Sequence, residues 1–112
     1  MKKLLTITPK FNLKNFLEIK IRNNTKKDFI SIKICFSLIY SIKSVQGAKI
    51  IKQIGRYYEL GGADFNLIAN TSRLITIKLQ KTKISSYNMS CGPEGLFIIN
   101  KENILIKSYM NH

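Results

Sequence analysis

The chain of 112 residues contains no tryptophan, one histidine and only six acidic residues. The histidine is His112, so the rest of the chain has no imidazole to act as a general base or to hold a metal ion. No two acidic residues are adjacent; they are Glu18, Asp28, Glu59, Asp64, Glu94 and Glu102. Because acid–base catalysis needs partners with separately tuned pKa values, we expect no catalytic site, no metal site and no cofactor.

Cysteine is scarce as well, with only Cys35 and Cys91. Their separation is similar to that of the inter-sheet disulfide of immunoglobulin domains, but the tryptophan that packs on that bridge is missing. Two free thiols in a reducing compartment are the preferred interpretation. The segment MKKLLTITPKFN lacks the unbroken apolar stretch of a secretory signal, and no apolar run approaches the roughly 18 residues of a membrane span. We therefore expect a cytoplasmic protein without a membrane span.

Basic residues outnumber the six acidic ones, and the formal net charge is +13. Such a charge is typical of proteins that bind nucleic acid or another anionic surface. The cations are sixteen lysines and three arginines, with no arginine cluster and no RNP-like aromatic motif. Single lysines spaced along apparent strands, such as Lys20, Lys33 and Lys52, favour an ordinary solvated face instead. Nucleic-acid or anionic-surface binding is kept as an alternative function.

Apolar residues, at 45% of the chain, alternate with polar ones in several segments. In NFLEIKIR, Leu17, Ile19 and Ile21 alternate with charged residues, which predicts a half-buried strand. The run FISIKICFSLIY predicts a second strand, with alternate residues from Ile30 to Tyr40 on one face. A polar segment, NNTKKD, separates the two runs. We predict that they form a hairpin.

The same pattern continues to the end of the chain. RLITIKLQ predicts a strand, and GLFII and ILIKSY predict a closing hairpin around NKEN. Residues 45–60 also fit helical spacing, but Gly47 and Gly55 and the β-branched isoleucines favour a strand. With turns every eight to twelve residues, the sequence predicts about seven strands and no helix. The expected fold is one all-β domain, residues 1–112, an immunoglobulin-like antiparallel β-sandwich.

The segment QIGRYYELGG stands between the predicted hairpin and a loop containing Gly-Pro. The order is FLEIKIRNNTKKDFISIKICFSL, GAKIIKQIGRYYEL, LIANTSRLITIKL and SSYNMSCGPEGLFII. This order resembles the N-terminal β-sandwich domain, often described as carbohydrate-binding, of bacterial glycoside hydrolase family 20 β-N-acetylhexosaminidases. The resemblance covers about residues 15–106.

Individual positions carry that resemblance. Gly55, Tyr57, Glu59 and Leu60 match an aromatic-Glu-Leu element of the family, and Gly92 and Pro93 match its Gly-Pro. Two positions depart from it: Leu74 stands where an aromatic residue is common, and Leu96 stands where a small-then-aromatic pair is usual.

The resemblance implies a non-catalytic accessory domain. Enzymes of this family act through a TIM barrel with an adjacent Asp-Glu pair, and this sequence has neither the barrel nor the dipeptide. The implied partners are an N-acetylglucosamine-type sugar or a separate catalytic barrel. Candidate sugar-binding residues are Tyr57, Tyr58, Glu59, Tyr87 and Asn88.

The two adjacent tyrosines cannot both face one ligand, because successive side chains on a strand point to opposite faces. We expect Tyr58 to lie in the core and Tyr57 at the edge of the surface. A further alternative is a protein-interaction module that pairs through an edge strand, with outward lysines as guards against unwanted pairing.

Overall fold

The computed structural model describes residues 4–12, 15–62, 64–80 and 93–110, which form ten β-strands and no helix. The strands are β1 (Leu5–Asn12), β2 (Phe16–Asn23), β3 (Lys33–Ser37), β4 (Ile42–Gln46), β5 (Lys49–Ile54), β6 (Tyr57–Gly61), β7 (Ser72–Leu79), β8 (Glu94–Ile99), β9 (Leu105–Ile106) and β10 (Ser108–Met110). None of the described residues belongs to a helix that could cross a membrane.

The strands form two sheets of five. The first sheet has the order β10-β1-β2-β7-β4, and the second has the order β5-β6-β3-β8-β9. All pairs are antiparallel except β1 with β10, where residues 5–7 run parallel to residues 108–110. The chain changes sheet at six connections, of which β4–β5 at one side of the sandwich and β9–β10 at the other join edge strands. The predicted all-β antiparallel sandwich is confirmed, with ten strands instead of about seven.

The inner faces of the two sheets enclose one hydrophobic core. Leu17, Ile19 and Ile21 of β2 are completely buried and face Ile34 and Phe36 of the second sheet across the core cluster. Their alternation with exposed polar residues is the pattern that the sequence shows, since a strand places successive side chains on opposite faces. Burial of these aliphatic side chains, worth about 1.5–3 kcal/mol each, holds the sheets together.

The predicted hairpin between residues 15–22 and 29–40 is wrong. β2 pairs with β1 and β7 in the first sheet, whereas β3 pairs with β6 and β8 in the second. Each of the two runs buries one face of its strand. That face is buried equally well whether the two strands are neighbours in one sheet or lie in opposite sheets of the sandwich. The connecting segment crosses the sandwich, with a single bridge between Phe29 and Leu67 on the way, and Ile30 is half exposed instead of buried.

The sequence analysis predicted no strand in residues 5–12, which form β1 in spite of Pro9. In the structure Leu5 and Ile7 are buried and Pro9 lies opposite Ile19 of β2. A proline has no N–H to donate and is tolerated only where the neighbouring edge is open. The parallel pairing with β10 ends at Ile7, so the other side of β1 makes no ladder at Pro9.

Two further strand predictions are confirmed. Residues 45–60 are β-structure, divided among β4, β5 and β6. The closing hairpin exists, with Ile98 opposite Ile106 and Ile99 opposite Leu105. Its turn is organised by Asn100, whose side-chain oxygen accepts the backbone N–H groups of Glu102 and Ile104 at 2.9 and 3.0 Å.

Asn23, at the end of β2, is a completely buried polar side chain. Its amide nitrogen donates to the carbonyl oxygens of Lys27 and Leu67 at 2.8 and 3.0 Å. Its oxygen accepts the backbone N–H and the hydroxyl of Thr25 at 3.0 and 2.7 Å. These bonds fold the polar loop after β2 back on itself and attach it to Leu67, which guides the chain from the first sheet toward the second.

Replacing Asn23 with alanine tests this role. The Asn23→Ala variant loses both donors and leaves the buried carbonyl group of Leu67 and the partly buried carbonyl group of Lys27 without them, so we expect the free energy of unfolding to fall by about 2–3 kcal/mol. Urea unfolding measures the change. The matched control is Asn24→Ala, because the exposed Asn24 makes one surface bond, to the Thr6 hydroxyl at 2.8 Å. Equal losses in the two variants would contradict the assignment.

Candidate functional site

Tyr57 and Glu59 lie on the outer face of the second sheet, one residue apart on β6. Both are half-buried, and the Tyr57 hydroxyl donates a hydrogen bond to the Glu59 carboxylate at 2.7 Å. In register with Glu59 are Lys52 of β5 and Cys35 of β3. The structure therefore brings two of the predicted sugar-binding residues together on one surface.

Cys35 lies on this same outer face but is completely buried, and it is a free thiol. Burial raises the pKa of the Cys35 thiol, against the opposing effect of its hydrogen bond with Tyr57. Desolvation, together with the bonds to Cys35 and Glu59, raises the pKa of Tyr57. Both groups keep their protons at neutral pH, so neither is an activated nucleophile.

Tyr58 lies on the opposite side of β6, in the core, where only 3% of its surface is exposed. Its ring stacks on Phe36 with 5.9 Å between centroids, and its hydroxyl accepts a hydrogen bond from the Gln53 amide at 3.3 Å. The ring thus has no free face to offer a sugar at the surface.

The other positions taken from the resemblance fall into two groups, those outside the described residues and those with a clear place in the fold. Tyr87, Asn88 and Gly92 lie outside the described residues, as does Cys91. Gly55 lies in the two-residue turn between β5 and β6, Leu60 is buried in the core, and Pro93 directly precedes β8. The fold therefore accounts for these three residues: a turn for Gly55, the core for Leu60 and the start of a strand for Pro93.

A cleft that sequence reasoning missed opens where the chain passes from the first sheet to the second. It has a volume of about 510 Å³ and is bounded by the β4–β5 connection, the first residues of β5, the end of β6, residues 62, 64 and 65 after it, and one side chain of β7. The charged residues that line it are Lys49, Asp64 and Arg73. The one hint of this cleft in the sequence is the pair Gly61-Gly62, because both glycines line it. A Gly-Gly pair is also typical of an ordinary turn, so it does not by itself predict a cleft.

Arg73 is fixed in position at this cleft. Its guanidinium lies over the Phe65 ring, with 4.5 Å from Cζ to the ring centroid. It donates to the carbonyl oxygens of Asn66 at 3.2 Å and Gly47 at 3.4 Å. Stacking and two backbone bonds hold the guanidinium still, so the cleft has a pre-positioned cation.

Two glycines allow the walls of the cleft to come together. Gly47 has a φ of 91°, and a Cβ there would lie 2.5 Å from the carbonyl oxygen of Leu74. Gly61 has a φ of 132°, and a Cβ there would clash with the carbonyl oxygen of Ile32. Any other residue would push the backbones apart at both places.

The lysines that suggested a nucleic-acid partner are spread over both sheets. Lys20 and Lys78 lie on the outer face of the first sheet with Arg22 and Glu18, as their register shows. Lys33 and Lys52 belong to the second sheet. Binding of nucleic acid or of another anionic surface stays a prediction.

The edge-strand alternative has one clear location, β5. All six of its residues are exposed, including Ile50, Ile51 and Ile54, of which Ile54 is 62% exposed. Lys49 and Lys52 are placed among them, as in edge strands protected from unwanted pairing. Pairing through β5 also stays a prediction.

The acidic side chains are separated from one another. Glu18 and Glu59 belong to different sheets, and the Asp28 carboxylate, in the loop after β2, accepts the backbone N–H of Ala69, in the loop after β6, at 2.8 Å. Within the described ranges, no three His, Cys, Asp or Glu side chains are close enough to hold a metal ion.

Comparison with known proteins gives a structural likeness without a sequence match. No family model and no curated protein matches the chain. Two solved structures of a GH20 exo-β-N-acetylglucosaminidase from Vibrio harveyi, one of an inactive mutant and one in complex with N-acetylglucosamine, match with TM-scores of 0.69 and 0.70. Each is 17% identical, and the match covers 96% of this chain.

The same match covers only 17% of the Vibrio enzyme's chain. At this identity the likeness shows the fold alone. The fold of this chain is therefore similar to that of a minor part of a GH20 enzyme.

The two glycines at the end of β6 give a matched test of the cleft geometry. Gly61→Ala places a Cβ against the Ile32 carbonyl, whereas Gly62→Ala meets only the Ile51 side chain at 3.6 Å. Both positions have a left-handed φ, which costs a non-glycine residue about 1–3 kcal/mol. We expect Gly61→Ala to lower the free energy of unfolding by a further 1 kcal/mol or so beyond Gly62→Ala. A larger loss in Gly62→Ala, measured by urea unfolding, would contradict this geometry.

Proposed function

We propose that this chain is a non-catalytic accessory module of the kind that forms the N-terminal β-sandwich domain of bacterial GH20 β-N-acetylhexosaminidases. The observation that carries the proposal is the structural match, in which nearly the whole chain corresponds to 17% of a GH20 enzyme. The remainder of an enzyme of that family contains the catalytic barrel. On this proposal, hydrolysis belongs to the barrel and the module supports it.

The arrangement of acidic groups supports the non-catalytic part of the proposal. A glycosidase ordinarily places two carboxyl groups on either side of one bond, a few ångströms apart. Here Glu59 is engaged by the Tyr57 hydroxyl and Asp28 by a loop N–H. Neither carboxylate has a second carboxylate as its partner.

The surface around Tyr57 is the region where we place the partner. Phe97 is opposite Cys35, and Ile99 is opposite Lys33, so both lie on the outer face of the second sheet. Leu105, opposite Ile99, is 65% exposed. An apolar strip of this kind on an otherwise lysine-rich molecule is suited to contact with a separate catalytic barrel.

Sugar binding at the same face would be weak. One aromatic ring, Tyr57, can pack on the C–H face of a pyranose. Its hydroxyl and the Glu59 carboxylate are already bonded to each other, so an N-acetylglucosamine-type sugar has to break or share that bond. We therefore expect affinity in the millimolar range or weaker.

Two measurements on the purified chain test the proposal. With p-nitrophenyl N-acetyl-β-D-glucosaminide as substrate, we expect no release of p-nitrophenol above buffer. With N-acetylglucosamine titrated to millimolar concentration, we expect NMR shift changes at Tyr57 and its neighbours. The Tyr57→Ala variant should abolish these changes.

The control variant is Tyr109→Ala, because Tyr109 is an exposed tyrosine of the first sheet. It should leave the titration unchanged. Hydrolysis of the substrate by the chain would overturn the non-catalytic proposal. Absence of any shift with N-acetylglucosamine would remove sugar binding and leave the barrel as the proposed partner.

A further inference from the structure

We propose that the cleft between the β4–β5 connection and the end of β6 binds a sugar acid, a monosaccharide of the hexuronic type. This site is separate from the Tyr57 surface and does not rest on the proposed accessory function. It combines a cavity, a fixed guanidinium, an ammonium and a carboxylate within one set of lining residues.

The size of the cleft suits one sugar ring with room for water. Its volume of about 510 Å³ falls within the range of roughly 300–1,000 Å³ that is usual for small-molecule sites. Apolar contact comes from Ile51, which is 42% exposed, and from Ala48 of the adjoining connection. These side chains can cover the C–H face of a pyranose.

Arg73 selects an anionic group. The described residues use its guanidinium N–H groups for two bonds, to the carbonyl oxygens of Asn66 and Gly47. The guanidinium has further donors, and a carboxylate matches their spacing better than a hydroxyl does. Because stacking on Phe65 already holds the group at 4.5 Å, binding a carboxylate costs little side-chain entropy.

Lys49 and Asp64 determine further which kind of ligand the cleft prefers. Lys49 brings a second exposed cation to the same cleft, so cations outnumber the single carboxylate of Asp64. A simple anion would gain nothing from Asp64 and would be repelled by it. A sugar acid uses both signs, since its carboxylate faces the cations and its hydroxyls donate to Asp64.

NMR titration of the whole chain with sodium D-glucuronate tests the proposal. We expect progressive shift changes at the backbone amides of Gly47, Gly61 and Gly62. D-glucose and sodium acetate, at matched ionic strength, should give much smaller changes at the same amides. Glucose tests the need for the carboxylate, and acetate tests the need for the ring and its hydroxyls.

Variants at the cleft rim give the second readout. Lys49→Gln and Asp64→Asn should each raise the dissociation constant for glucuronate by about 2- to 5-fold, the range for an exposed ionic contact. Lys43→Gln is the control, because Lys43 is an exposed lysine of β4 that does not line the cleft. It should leave the constant unchanged. Arg73 is kept, since its bonds also hold the β4–β5 connection.

Three outcomes overturn the proposal. The first is an absence of shift changes at the three glycines with glucuronate. The second is an equal response to glucose, which would remove the anionic selection. The third is a sign of general attraction of anions by a basic protein, which would appear as an equal response to acetate or as an equal effect of Lys43→Gln.

Discussion

The main chain comes very close to neighbouring main chain at Gly47 and at Gly61. The shape of the cleft between the two sheets depends on these two contacts. At Gly47 the connection from β4 to β5 presses on the carbonyl of Leu74, and at Gly61 the end of β6 presses on the carbonyl of Ile32. Both contacts require a residue without a Cβ. They allow the chain to pass from one sheet to the other in a short connection, and they place the Gly47 carbonyl within reach of Arg73.

The two outer faces of the sandwich have different chemistry although the two inner faces share one core. The outer face of the first sheet is formed mainly by threonines and charged residues around Lys20 and Arg22, with Leu74 as an exposed apolar residue opposite Lys20. The outer face of the second sheet has Tyr57 and Glu59 in a hydrogen-bonded pair beside the buried thiol of Cys35. A partner that contacts the module through apolar and aromatic groups is therefore better suited to the second sheet.

Local alternation predicted the strands well and their pairing poorly. β2 and β7 follow directly from Leu17, Ile19 and Ile21 and from Ile75 and Ile77, because a period of two requires no knowledge of the partner strand. The division of β2 and β3 between opposite sheets depends on long-range packing and on the Asn23 hydrogen bonds, which the pattern does not contain. β1 was also missed, and its tolerance of Pro9 depends on a long-range feature, the point where β10 stops pairing with it.

The candidate sites also differ in whether local sequence pattern or long-range packing determines them. The opposite orientations of Tyr57 and Tyr58 followed from strand geometry alone, and the structure confirms them. The cleft could not be predicted, because Gly47, Lys49, Gly61, Asp64 and Arg73 are brought together only by the crossing between sheets.

The most direct test of this account is the pattern of Hα–Hα nuclear Overhauser effects across the strands. We predict a contact between Gly61 and Lys33, which are register partners of β6 and β3, and one between Lys20 and Leu74, which are register partners of β2 and β7; both are pairs without mutual hydrogen bonds, in which the Hα atoms lie close together. Contacts that connect residues 16–23 directly to residues 33–37 would contradict it, because they would place β2 and β3 in one hairpin instead of in opposite sheets.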